Sequence, residues 1–238
     1  MNLIIDEGNT NAKVSIYNKG IEYFSWSGKN IDIDLLGKLI ADYRVDASIY
    51  SSTRIPDKSV CMFLKSRTRF VLFDSETKVP LINRYQTPKT LGRDRLAACV
   101  GANTLMPNED LLIIDIGTAI TYDFVSNGAY LGGNIAPGMQ MRLDALHHFT
   151  ARLPQVDIDC EFKEIGDTTE TAIYSGCKSG IIYEIEGYYR RQMLKYPKVS
   201  VFLTGGGAKY FVDQINFEIF AKSNLIQIGL EQILMYQC

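Results

Sequence analysis

The chain lacks most of the features that would commit it to thiol, metal or nucleic-acid chemistry. Only five cysteines occur in 238 residues (Cys61, Cys99, Cys160, Cys177 and Cys238), and all are far apart. No pair has the short spacing of a zinc site or a redox motif, and an odd number does not suit a disulfide framework. Cys99 and Cys177 fall in apolar periodic segments, where a free thiol acts as a small hydrophobe. An excess of one charge is missing too: 25 Lys and Arg face 27 Asp and Glu, a net charge of −2. Without a concentrated basic field, a general nucleic-acid or anionic-membrane binder is excluded. Trp26 and the 14 tyrosines are not interleaved with basic runs, so no stacking platform for single strands is present. No run of 18 apolar residues exists to span a bilayer. The start, Met1 to Asp6, lacks the basic segment and apolar run of a signal peptide, which predicts a cytoplasmic location. Histidine is reduced to two adjacent residues, His147 and His148. Neighbours on a helix diverge, so this pair is expected to pack or cap near Phe149 and Thr150 rather than share a metal.

What is present is an ordinary globular composition, 46% hydrophobic and 22% charged, and a repeat. The run from Asn2 to Thr10, an apolar strand into Asp6-Glu7-Gly8-Asn9-Thr10, returns as Leu111 to Thr118, ending Asp115-Ile116-Gly117-Thr118. Alternating residues follow each copy, then a turn, Asn18-Lys19-Gly20 in one and Ser126-Asn127-Gly128 in the other. Asp6 and Asp115 lie 109 positions apart, and Gly20 and Gly128 lie 108 apart. Spacing preserved across two landmarks points to duplication. Each copy reads as an antiparallel meander.

Helical periodicity covers Asp32 to Tyr43, and Ala47 to Ser52 reads as a strand. Pro88 is expected to open a helix over about Leu91 to Thr104, stopped by Met106-Pro107. A long helix is expected from Thr168 to Leu194, with Ile173, Gly176, Cys177, Gly180, Ile181, Ile185 and Tyr188 on one face and Glu184 interrupting it. Lys198 to Thr204 reads as a buried strand ending in Gly205-Gly206-Gly207, and Leu225 to Tyr236 as a closing helix. The organisation predicted is two duplicated α/β halves, 1–107 and 108–238, with a ligand in a cleft between them at the Gly turns.

Two facing Asp-x-Gly turns suit a polyphosphate. Glycine lets the backbone approach closely, and turn amides and hydroxyls donate to phosphate oxygens. The strand-end Asp can hold a cation beside those oxygens, and Lys13 adds positive charge. Thr204-Gly205-Gly206 either lies flat against a ligand or is loop punctuation; it fits neither the Rossmann nor the P-loop pattern. Gly92-Arg93-Asp94-Arg95 falls in the first turn of a predicted helix. Asp94 favours that helix end electrostatically, but the arginines do not unless an anion is bound. They would keep Asp94 ionised as an acceptor and could grip a carboxylate or phosphate.

In order along nearly the whole chain, these motifs resemble the type III pantothenate kinases of the acetate-kinase, sugar-kinase, Hsp70 and actin superfamily. The matching segments are Asp6 to Lys13, Tyr85 to Arg95, Asp115 to Ala119 with Thr121 and Asp123, Leu131 to Gly138, Thr150 to Pro154, Gly166 to Thr169 and Thr204 to Gly206. The resemblance implies two RNase H-like halves and ATP-dependent phosphorylation of pantothenate to 4′-phosphopantothenate, the first step of coenzyme A synthesis. It implies Asp94 as general base, with Tyr85, Gly92, Arg93, Arg95 and Thr169 holding pantothenate. Asp6, Glu7, Gly8, Asn9, Thr10, Asn11, Ala12, Lys13, Thr118, Thr204, Gly205 and Gly206 would contact ATP. Asp115 resembles the family's monovalent-cation position, for potassium or ammonium, while Mg2+ travels with ATP. A homodimer is implied too, for which the Gly176/Gly180 helix face is a candidate contact. Neither nucleic acid nor membrane is an expected partner. The alternative is a non-catalytic regulatory or partner-binding homologue, which the intact Asp6, Asp94, Arg95, Asp115 and Thr118 disfavour. Three positions depart from the pattern: Glu7 replaces an apolar residue, Arg152 a common Gln, and the segment Asn224 to Leu230 lacks a charged residue.

Overall fold

The computed structural model describes residues 1–237; Cys238 lies outside the described residues. The five-stranded sheet has the order β3-β2-β1-β4-β5, from β1 (Asn2–Glu7), β2 (Ala12–Asn18), β3 (Ile21–Gly28), β4 (Ala47–Ser52) and β5 (Arg69–Leu72). The meander pairs are antiparallel, whereas β4 runs parallel to both β1 and β5. Because successive strand residues point to opposite faces, Leu3 and Ile5 join Val14, Ile16 and Tyr50 in one core under α1 (Ile33–Asp42) and α2 (Lys58–Lys65). Asp32 caps α1 by accepting from Asp34 N at 2.9 Å.

The six-stranded sheet has the order β11-β10-β7-β8-β9-β6. Its strands are β6 (Ile82–Asn83), β7 (Leu111–Ile116), β8 (Ala119–Ser126), β9 (Ala129–Pro137), β10 (Ser200–Thr204) and β11 (Phe220–Ala221). The repeat is visible in its turns. Lys19 and Gly20 have φ of 51° and 82°, and Asn127 and Gly128 have 48° and 70°; the same pair of positive angles closes both hairpins. The long helix α5 (Thr169–Met193) opens with a capping box between Thr168 and Thr171. It packs Ile173, Cys177, Ile181 and Ile185 against Leu112, Ile114, Val201 and Leu203, together with Leu143 of α4 (Met139–His148). Glu184, which interrupts that stripe, accepts from Arg142 Nη2 at 2.7 Å and Tyr122 Oη at 3.3 Å.

The helix expected after Pro88 starts later: Pro88–Thr90 form a 3-10 turn and α3 runs over Arg93–Leu105. The closing helix α6 (Leu225–Tyr236) matches the expected bounds, while α2, α4, β5, β6 and β11 were not read from the sequence. Helices α3 and α6 cross backbone to backbone. A Cβ on Gly229 would meet Ala97 O at 1.8 Å, and one on Gly101 would meet Leu225 O at 2.2 Å.

Contacts group the chain into two compact units. One holds residues 1–109, 125–132 and those from 224 on; the other holds 110–124 and 133–223. Of the described cysteines, Cys61, Cys99, Cys160 and Cys177 are all free thiols, with Cys99 and Cys177 buried.

Candidate active site

In the first unit, Asp6 is the last but one residue of β1 and lies on the face covered by α6, on the side away from the Leu3/Ile5 core. It is 8% exposed, and Gln227 Nε2 of α6 donates to its Oδ2 at 3.3 Å. Burial pushes the Asp6 carboxyl up to about 6; Asp94 adds to the rise, while Lys13 and Gln227 oppose it. Lys13 is its cross-strand partner on β2. The following turn, residues 8–11, is closed by Gly8 N donating to Asn11 O at 2.9 Å, leaving Asn9, Thr10 and Asn11 exposed. Arg54 donates to Asn9 O.

Glu7 faces the other way. Its Oε2 accepts from Tyr50 Oη at 2.5 Å and Ser52 Oγ at 2.8 Å. The period of two places neighbouring strand residues on opposite faces, so the Glu7 carboxylate is turned away from Asp6. This resolves the departure noted in the sequence: the acid serves β4.

Asp94 sits in the first turn of α3, where its Oδ1 accepts from Arg95 N at 2.8 Å. Gly92 is the residue before the helix, and a Cβ there would come within 2.6 Å of that same Oδ1. Arg95 is 6% exposed and donates through Nη2 to Tyr130 Oη at 3.0 Å. The Arg95 guanidinium carbon lies 5.9 Å from the centre of the Tyr85 ring, which is 6.0 Å from that of Tyr130. Beside them a cavity of about 370 Å³ is lined by Arg84, Tyr85, Gln86, Thr87, Leu131 and Gly132. Arg93 behaves differently from its neighbour: its guanidinium donates to the carbonyls of Asp74, Pro88 and Leu91. Backbone oxygens thus surround the cation that the sequence left open to an anion.

In the second unit, β10 runs parallel to β7 with Thr204 beside Asp115. Gly205 has φ of 91°, and a Cβ on it would come within 2.3 Å of Asp115 Oδ1 and 2.4 Å of Ile116 O. That close approach explains the glycine; Ile116 O also accepts from Gly207 N at 2.9 Å. Thr118 O accepts from Gly138 N at 3.1 Å, so the second Asp-x-Gly turn is pinned to the start of α4. Thr169 opens α5 and lines an apolar groove of about 970 Å³ between α4 and α5, with Met141, Phe149 and Gly176 among its walls. His147 Nδ1 lies 2.8 Å from Leu153 O and His148 stacks edge-on with Phe149, the packing role expected of the pair. Among the described residues no group of three or more His, Cys, Asp or Glu is placed to hold a metal.

Two residues at the site were missed in the sequence, Gln227 and Tyr130. Gln227 carried a signal, being a polar residue within a strongly apolar helix, and the structure buries it to 2% exposure. Tyr130 carried none, since a tyrosine on an alternating strand reads as core.

A family model for type III pantothenate kinase matches residues 2–191. The type III pantothenate kinase of Bacteroides fragilis is 44% identical over 238 residues, covering 99% of this chain and 98% of that one. The enzyme of the same description from Flavobacterium johnsoniae is 34% identical, covering 100% and 98%. Among solved structures, one described as a Baf family transcriptional activator from Campylobacter jejuni aligns with a TM-score of 0.62 at 24% identity, covering 99% and 98%. Component A of the (R)-2-hydroxyglutaryl-CoA dehydratase of Acidaminococcus fermentans aligns at 0.54 and 14%, covering 99% and 96%. These likenesses are of fold alone, and they extend along nearly the whole chain. Matched by the family model over most of its length and by full-length relatives, the chain belongs to the type III pantothenate kinase family.

Proposed function

We propose that Asp94 is the general base of an ATP-dependent phosphorylation of pantothenate to 4′-phosphopantothenate, the reaction of this family that opens coenzyme A synthesis. The observation that carries the residue assignment is the first turn of α3, where Asp94 stands next to a buried cation, Arg95, held between Tyr130 and Tyr85. Pantothenate has a carboxylate at one end and a primary hydroxyl at the other. Arg95 and Tyr85 hold the substrate, with Gly92 leaving room and Thr169 contributing from α5. Asp94 accepts the hydroxyl proton while the hydroxyl oxygen attacks the γ-phosphorus of ATP and ADP departs. A positioned carboxylate contributes about 10²- to 10⁴-fold to such a step; alignment and charge neutralisation supply the rest.

ATP contacts are assigned to the backbone of residues 6–13, to the side chains of Asp6 and Lys13, to Thr118, and to Thr204, Gly205 and Gly206. Asp115 is assigned the monovalent cation, potassium or ammonium, in keeping with the oxygens that converge at Gly205. Mg2+ enters with the nucleotide, and both cations would offset negative charge on the phosphates. The protein works in the cytoplasm as a homodimer. The α4–α5 groove, with Phe149 at 81% exposure and open space above Gly176, is the face assigned to the second copy.

A coupled ADP-release assay with ATP, Mg2+ and pantothenate, run in potassium and again in sodium alone, tests this reading. Pantothenate-dependent turnover that requires potassium is the expected result. Equal turnover in both salts removes the cation role of Asp115 and leaves the kinase. No turnover from folded protein overturns the reading in favour of a non-catalytic homologue.

A further inference from the structure

Arg93 occupies a place that electrostatics disfavours, the first turn of a helix, where a cation opposes the helix dipole. Its hydrogen bonds explain why it is there. Nε and Nη2 donate to Leu91 O at 3.0 and 2.6 Å, Nη2 also donates to Pro88 O at 2.8 Å, and Nη1 donates to Asp74 O at 3.1 Å. Asp74 begins, and Pro88 and Leu91 end, one long connection between β5 and α3. One planar guanidinium therefore ties both ends of this segment to the turn that carries Asp94. Phe73 lies under it at 5.8 Å.

Between those ends the segment is fastened at separate points. Asp74 Oδ1 accepts from Glu76 N and Thr77 N at 2.9 and 3.0 Å, forming a tight turn. Further on, Ile82 N donates to Gly128 O and Arg84 N to Tyr130 O, each at 3.0 Å. Tyr85 follows at once, with its ring facing Arg95. The stretch 85–91 then runs back to α3 with a single 3-10 turn, Pro88–Thr90. It is this return stretch that the fork grips at Pro88 and Leu91.

We propose that Arg93 is a positioning residue that clasps the segment 74–91 and thereby holds Tyr85 over Arg95, fixing the pantothenate pocket without touching the substrate. The proposal rests on the assignment of Tyr85, Asp94 and Arg95 to pantothenate. The planar fork is essential to it. Lysine keeps the charge and much of the stem but has one nitrogen, which cannot span three carbonyls in the same plane.

The test compares the full-length protein with Arg93→Gln and Arg93→Lys by backbone hydrogen exchange and by steady-state kinetics with each substrate. In both variants exchange is expected to rise over residues 75–91 while the rest of α3 stays protected. KM for pantothenate is expected to rise about tenfold, with KM for ATP within about twofold of the parent. A residue needed only for stability would move both constants or neither. Unchanged exchange over 75–91 overturns the clasp, and recovery by lysine overturns the role of the fork. Raised exchange with an unchanged KM for pantothenate overturns positioning. If Arg93→Gln does not fold, Arg93→Lys carries the same test. Tyr85→Ala keeps the underlying reading separate: normal KM for pantothenate in that variant removes the Tyr85 assignment, while the exchange data still decide the clasp.

Discussion

Gln227 and Asp6 are separated by 221 positions in the chain, and the Gln227 amide donates to the Asp6 carboxylate at 3.3 Å. The C-terminal helix thus reaches the strand end that leads into the first Asp-x-Gly turn. The bond favours the ionised carboxylate but does not outweigh burial, which leaves Asp6 titrating at about 6.

That raised value has a stability consequence. An aspartate free in water titrates at 3.8 and Asp6 in the folded protein at about 6, so the folded state binds the proton more tightly. Its contribution is fully present below pH 3.8 and is lost as pH rises through about 6. At about pH 7.5 the ionised group then costs the fold about 3 kcal/mol, because each tenfold change in proton affinity is worth about 1.4 kcal/mol. Asp6→Asn is expected to be more stable than the parent to urea at about pH 7.5, with the gain fading towards about pH 4. It is also expected to lose kinase activity. A variant less stable than the parent near neutral pH contradicts the reading that burial outweighs the help Lys13 and Gln227 give the Asp6 charge.

Asp94→Asn keeps the shape of the residue and removes its basicity. The protein is expected to fold and bind both substrates, with kcat reduced by about 100-fold or more. Near-normal turnover in the folded variant removes Asp94 from the role of base.

Of the three glycines after β10, Gly205 and Gly206 are expected to respond differently to alanine. Gly205 has a positive φ and a Cβ would strike Asp115 Oδ1 and Ile116 O, whereas a Cβ on Gly206 has nothing within 4 Å. Gly205→Ala should cost roughly 1–3 kcal/mol or more through backbone strain and the clash. It should also weaken any dependence on potassium, while Gly206→Ala stays close to the parent. Thermal melts and the paired salt assay read both effects.

Gly229→Ala places a methyl group 1.8 Å from Ala97 O and forces α3 and α6 apart. Loss of several kcal/mol is expected, together with activity, because the two helices carry Asp94 and Gln227. Gly187 in α5 is a control: a Cβ there has nothing within 4 Å, and replacing helical Gly by Ala should stabilise by roughly 0.5–1 kcal/mol. Equal melting temperatures for the two variants would refute the close crossing.

How far the sequence could be read follows from which interactions are local. The strand-turn-strand repeat, the α5 stripe and the bounds of α6 were legible because alternation, 3–4 spacing and Gly turns are properties of neighbouring residues. The Asp-x-Gly turns and Asp94 were legible through their residue types and order. Helix α4 was not, since only Met139 and Leu143 of its ten residues are buried and no apolar stripe announces it.

By itself, then, the sequence determined the family, the duplicated meander and the order along the chain of the groups proposed for the site. The tertiary structure decided which way those groups point and what they touch. Strand pleating sends Glu7 to Tyr50 and Ser52 while Asp6 faces Gln227. The parallel register of β10 beside β7 puts Gly205 against Asp115. Helical rotation by about 100° per residue, from 3.6 residues per turn, separates Arg93 from Arg95 two positions on: one grips carbonyls, the other meets Tyr130 and Tyr85. Such differences depend on partners tens to hundreds of residues away, and no local pattern encodes them.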